Sequence, residues 1–119
     1  MKKKINRLSR QERTHRGLVL KNILLLCNGG MSTSLLVTKM KAYADSIGFE
    51  CSIEAKPSAF VSKKKPEVDV ILIGPQIRHQ LKSIKLSVDP IPVEAIDMVA
   101  YGMMDGKKVI ERVIELTSS

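Results

Sequence analysis

Ile23-Leu24-Leu25-Leu26-Cys27-Asn28-Gly29-Gly30-Met31-Ser32-Thr33-Ser34 is the stretch on which the fold turns. Four aliphatic residues in a row, bounded by turn-forming residues, read as a short strand buried on both faces, as in the centre of a parallel sheet. Asn28, Gly29 and Gly30 then form a turn of small residues, and Ser32, Thr33 and Ser34 supply the hydroxyls that commonly open a helix. Glycine lets backbone N–H groups converge without a Cβ in the way. The helix that follows adds unpaired N–H groups and the positive end of its dipole. The parts are those of an anion cradle with a nucleophile, Cys27, at its lip. The oriented N–H groups favour an anionic sulfur and would hold a phosphate bonded to it. A buried, chemically idle strand cysteine, a plain strand-to-helix turn and ordinary helix caps are the alternative readings. The last two use the same N–H groups as a cradle would.

Outward from this stretch, strand and helix patterns alternate. A helix is expected over 32–47, with Leu36, Met40, Ala44 and Ile47 on one face and Gly48 as its stop. Residues 50–55 alternate as a second strand, with Cys51, Ile53 and Ala55 on one side. Pro57 and Pro66 bracket a crossover with room for a short helix. Residues 68–73 form a third strand, stopped by Gly74-Pro75. A helix follows at about 76–87, with Ile77, Leu81 and Ile84 facing inward. After Pro90 and Pro92 comes a short strand, 93–96. Asp105-Gly106 opens a last helix with Val109, Ile110, Val113 and Ile114 on its apolar face. This order predicts an α/β fold with a small four-stranded parallel sheet, order 2-1-3-4, flanked by helices. Ligands in such sheets bind beyond the strands' carboxyl ends, where the strand order reverses, and Cys27 ends the first strand there.

The 119 residues suit one domain, and the net charge is +8. That charge is unevenly placed: residues 1–22 carry +7 and residues 23–119 only +1. Residues 1–20 therefore read as a basic, flexible extension and 21–119 as the folded domain. The extension lacks the apolar core of a secretory signal, and no apolar run approaches the roughly 18 to 20 residues of a membrane span. A small basic nucleic-acid-binding module is an alternative from composition. It would need a basic patch with interleaved aromatics on the folded part, and the sequence has none there. No nucleic acid or cofactor is expected, and no metal, since no metal-ligand spacing occurs.

The two cysteines, Cys27 and Cys51, read as reduced thiols, and Cys51, with no glycine turn and no basic neighbour, reads as core. His15 and His79 read as solvated, as does Lys63-Lys64-Lys65. Met98, Met103 and Met104 around Tyr101 fit either a core or an adaptable apolar rim. Gln76, at the carboxyl end of the third strand, and Tyr101 are candidate contacts at the rim of the site.

Two cysteine-based phosphate chemistries compete. The low-molecular-weight tyrosine phosphatases, whose fold this pattern resembles, carry Cys, five residues, Arg, then Ser or Thr. Counted from Cys27, the arginine position is Thr33, and Ser34 matches the hydroxyl. The guanidinium clamp is absent, which demotes hydrolysis. The loop Cys-Asn-Gly-Gly-Met-Ser-Thr-Ser instead closely resembles that of the enzyme IIB component of the bacterial sugar phosphotransferase system, lactose/cellobiose class. The likeness continues through Gly74-Pro75-Gln76-Ile77 and Ile96-Asp97 to Tyr101-Gly102 and Asp105-Gly106. The Met-Ser-Thr-Ser ending resembles the cellobiose and chitobiose branch. The resemblance implies a cytoplasmic phosphocarrier. Cys27 would accept a phosphoryl group from a phosphohistidine of a IIA protein. It would pass the group to a β-disaccharide held by a membrane IIC permease. Asn28, Gly29, Gly30, Met31, Ser32, Thr33 and Ser34 match the family's phosphate loop.

The charge split yields a first prediction. Deleting residues 1–20 should weaken retention on a polyanion matrix and leave phosphoryl transfer unchanged. A large fall in transfer rate, measured with and without the segment, would show instead that it docks a partner.

Overall fold

The computed structural model describes residues 2–3, 5–6, 20–28 and 31–118. The expectation for residues 1–20 lies almost wholly outside these; within that stretch Lys2–Lys3 pairs antiparallel with Ile5–Asn6. The main sheet has four parallel strands, β1 (Lys21–Cys27), β2 (Cys51–Pro57), β3 (Val70–Ile73) and β4 (Val93–Ala95). Their spatial order is β2-β1-β3-β4, the expected 2-1-3-4. β1 is thus internal, in register with β2 from Lys21–Cys51 to Cys27–Pro57 and with β3 from Ile23–Val70 to Leu26–Ile73. The helices are α1 (Met31–Ser46), α2 (Phe60–Lys63), α3 (Leu81–Val88), α4 (Met98–Gly102) and α5 (Gly106–Thr117).

The two-residue alternation of side chains divides the core. Ile23 and Leu25 of β1 face α1 and α5, packing with Leu36, Met40, Val109 and Ile110. Leu24 and Leu26 face the other way, onto Val61 of α2, Ile77, and Ile84 and Val88 of α3. All of Ile23–Cys27 is buried, which is why the run carries no polar alternation. At the strands' amino ends a polar network holds the register: Asn22 N–H donates to Asp69 (2.7 Å), and Ser52 Oγ donates to Asn22 Oδ1 (2.7 Å).

Gly48 stops α1 as expected. Its φ is +71°, Gly48 N–H donates to Asp45 O and Phe49 N–H to Ala44 O, the Schellman pattern. Three readings are corrected. Ile47 is exposed rather than inward, because the helix has already ended beneath it. Ala55, on the edge strand, is exposed although Ile53 on the same side is buried. The 76–87 helix is two pieces: a 3₁₀ segment, Pro75–Gln80, with non-helical Ile77, and then α3. The short helix α4 had no counterpart in the sequence reading.

Gly106 begins α5 against the middle of α1. A Cβ there would lie 2.5–2.6 Å from the backbone of Lys39 and Met40. Backbone cannot swing aside as a side-chain tip can. Gly106→Ala should therefore destabilise the domain by about 1–3 kcal/mol, the usual range for overpacking. Urea denaturation checks this, and an unchanged midpoint would mean that α1 and α5 separate without cost.

Candidate functional site

Cys27 is the last residue of β1 and sits opposite Pro57 of β2. It is 6% exposed, with Sγ 4.0 Å from the Lys56 carbonyl oxygen. Asn28 follows and is exposed; Gly29 and Gly30 lie outside the described residues, as do the side chains of Met31 and Ser32. The backbone re-enters at Met31 as α1, whose first turn carries no acidic residue. The first N–H groups of a helix have no intrahelical acceptor, and its dipole is positive at this end. A buried strand end and the positive end of a sixteen-residue helix are thus joined by a three-residue link that begins just after the sulfur-bearing residue.

The hydroxyl residues of the first turn diverge. Ser34 is exposed, and its carbonyl accepts from Thr38 Oγ1 at 3.1 Å. Thr33 is buried at 2% exposure, with Oγ1 3.2 Å from the hydroxyl of Tyr101. Gln76 Nε2 donates to the same hydroxyl at 3.1 Å. Thr33, Gln76 and Tyr101 therefore meet, although 68 and 25 positions separate Tyr101 from the other two. Gln76 is exposed at the carboxyl end of the sheet with its amide turned inward, and Tyr101 is buried beneath it. The methionines divide: Met98 and Met103 are largely exposed, while Met104 packs against the core.

Sequence reasoning missed two supports. Gly74 N–H donates to the Leu26 carbonyl at 2.9 Å, holding the chain just before Cys27. Asp97 caps α4, its Oδ2 accepting from Ala100 N–H at 3.0 Å, and so fixes the helix that carries Tyr101. An aspartate directly before the short apolar stretch Met98–Tyr101 was the available signal. Two surface hollows, of about 590 and 310 Å³, lie elsewhere. The larger runs along α2 beside Phe60 and Lys63–Lys65, the smaller between β4 and α5; Cys27 lines neither. No cluster of His, Cys, Asp and Glu among the described residues could hold a metal ion.

Residues 22–112 match the family of lactose/cellobiose-specific IIB subunits of the PTS system. The chain belongs to this family. It is 48% identical over 99 residues to the oligo-β-mannoside-specific EIIB component of Bacillus subtilis (strain 168), covering 82% of this chain and 96% of that one. It is 39% identical over 97 residues to the cellobiose-specific EIIB component of Lactococcus lactis subsp. lactis, covering 76% and 90%. The solution structure of a cellobiose-specific IIB component from Borrelia burgdorferi is similar at a TM-score of 0.68 and 38% identity, covering 82% and 92%. The lactose-specific IIB domain of Streptococcus pneumoniae shares the fold at a TM-score of 0.73 and 18% identity, covering 82% and 98%. IIB subunits act in phosphoryl transfer within the phosphotransferase system, alongside IIA and IIC components. No described helix of this IIB subunit is long and apolar enough to cross a membrane.

Cys51 stands at the other end of the sheet, opposite Lys21, where Cys27 is opposite Pro57. Six residues of strand put the two about 20 Å apart along the sheet. Cys51 does have a basic neighbour in space. Burial pushes its thiol up, Asp45 adds to this, Lys41 opposes it and Glu50 adds again. A folded-state value above the unfolded one means stability present below the ordinary thiol range and lost as the pH rises through the raised value. In a Cys27→Ser variant, alkylation of Cys51 should still be accelerating with pH after that of the unfolded chain has levelled off. Coincident pH profiles, followed by mass spectrometry, would show that the core does not protect this thiol.

Proposed function

We propose that Cys27 is the phosphoryl acceptor of this IIB subunit, with the backbone of Asn28 to Ser34 as its phosphate loop. The donor is a phosphohistidine of a IIA protein. Sulfur, as the thiolate, attacks phosphorus; the P–N bond breaks, the P–S bond forms, and the donor ring, protonated on its other nitrogen, leaves as neutral imidazole. In the second step a hydroxyl of a sugar held by the membrane IIC permease attacks phosphorus. The P–S bond then breaks, the thiolate is restored and the hydroxyl proton passes to a base on the IIC side or to solvent. The protein would work in the cytoplasm and dock transiently at the inner membrane through IIC. A β-linked disaccharide is the proposed cargo, in keeping with the oligo-β-mannoside and cellobiose names of its relatives.

The observation that carries this reading is the placement of Cys27 where the central strand stops and the positive end of α1 begins. A phosphoryl group on sulfur carries most of two negative charges, and oriented N–H groups stabilise it without a fixed cation. The phosphatase alternative needs a guanidinium at position 33, to bind and polarise the phosphoryl group. Position 33 holds a buried threonine bonded to Tyr101. A cradle that holds but does not polarise suits a carrier, whose cargo must survive until the acceptor arrives.

Cys27→Ser should keep its fold and lose phosphoryl acceptance from phosphorylated IIA down to background, read by intact mass. The unsubstituted protein should turn over aryl phosphates no faster than a blank. Normal sugar phosphorylation by Cys27→Ser would remove Cys27 from the reaction, and efficient aryl phosphate turnover would restore the phosphatase reading.

A further inference from the structure

The loop that begins at Cys27 is tied at both ends to one turn. Leu26, just before it, accepts from Gly74 N–H at 2.9 Å. Thr33, in the first turn of α1, meets the Tyr101 hydroxyl at 3.2 Å. Gln76, two residues beyond Gly74, donates to that hydroxyl at 3.1 Å. We propose that the Gly74–Gln76 turn and Tyr101 form a strut that sets the span of the Cys27 loop, and that Tyr101 is a positioning residue for phosphoryl transfer. This rests on the reading of Cys27 as the phosphoryl acceptor.

Each member is held from behind. Tyr101 rides on α4, which Asp97 caps at one end, while Asp105 N–H donates to Ala100 O (2.9 Å) at the other. Its ring packs into the core layer with Ile96, Ala100 and Val109. The Gln76 side chain folds back over Gly74, so closely that a Cβ on Gly74 would lie 2.6 Å from Gln76 Oε1. The hydrogen-bond directions are compatible: the phenol oxygen accepts from the Gln76 amide, and in its contact with Thr33 either hydroxyl can donate.

Packing alone does not call for these polar groups. Valine would fill the site of Thr33 and phenylalanine that of Tyr101 with nearly the same shape, and burying two hydroxyls is unfavourable unless they are bonded. Gln76 is exposed and could bond to water, yet its amide turns inward. The circuit buys a fixed distance between the strand end bearing the sulfur and the helix end bearing the N–H groups. Small errors in such a distance are expensive in rate, since transfer needs the reacting atoms in near-attack geometry.

The test is steady-state phosphoryl transfer from phosphorylated IIA, through the full chain or its variants, to sugar in membranes that carry IIC. Tyr101→Phe and Thr33→Val should each lower kcat by about ten-fold or more, with KM for phosphorylated IIA held within about two-fold. The double variant should be no slower than the slower single one, because both break one circuit. Gly74→Ala should behave like Tyr101→Phe, since the new Cβ pushes the Gln76 amide off the phenol. Val88→Ala, in the opposite core layer, should lower Tm while leaving kcat intact. An unchanged kcat in Tyr101→Phe, multiplicative losses in the double variant, or a loss of kcat in Val88→Ala in proportion to its Tm would each overturn the strut. If the unsubstituted protein gained no phosphoryl group on Cys27, the reading beneath it would fall as well. If it gained one and Tyr101→Phe transferred normally, only the strut would fall.

Discussion

β1 is hydrogen-bonded on both edges and buried on both faces, and everything that places Cys27 follows from that. A strand between two parallel neighbours cannot slip by one residue, because a slip would exchange Ile23 and Leu25 with Leu24 and Leu26 between two different helix layers. Its register therefore fixes where the backbone leaves the sheet. The strand order reverses beside β1, with β2 on one side and β3 on the other. Beyond the carboxyl ends, the chain leaving β1 turns toward β2 and the chain leaving β3 turns toward β4, so the connections diverge between β1 and β3. Cys27 ends β1 at that divergence, with three residues between it and the start of α1.

The alternation of strands and helices was legible because each strand is a short apolar run and most helices bury a periodic stripe. What failed to show was local and had local causes. α4 spans only Met98–Gly102 and leaves Met98 and Val99 exposed, so it writes no periodic stripe into the sequence. Ile47 fits the spacing of Leu36, Met40 and Ala44, but Gly48 turns the chain before that spacing can be used. Ala55 follows the alternation of the edge strand β2 and is exposed, although Ile53 on the same side is buried in the core.

The site was legible in outline and not in its connections. A cysteine before two glycines and three hydroxyls announces a loop that could hold an anion. Nothing in that motif distinguishes Thr33, turned into the core, from Ser34, turned to solvent. The difference is made by Tyr101, which is remote in sequence and reaches Thr33 only because β4 and α4 return to the same end of the sheet. Gln76 and Tyr101 could be placed near the rim from topology alone. That one hydroxyl joins them to Thr33 is a property of packed side chains.

The buried position of Thr33 also bears on how a phosphatase-like fold can serve a carrier. The arginine of the phosphatase pattern falls at this residue, so its absence could be taken as a simple gap in the loop. The surroundings say otherwise. Thr33 is buried, and a guanidinium on the same path would have to displace the Tyr101 hydroxyl. Inserting so large a group into packed surroundings forces strain or a different exit for the side chain. The neutral loop and the tyrosine behind it are thus one arrangement. On the proposed reading, the space that a phosphatase gives to a clamping cation here holds a support for the loop. Phosphate bound only by N–H dipoles is then less activated toward water and free to leave for a sugar hydroxyl.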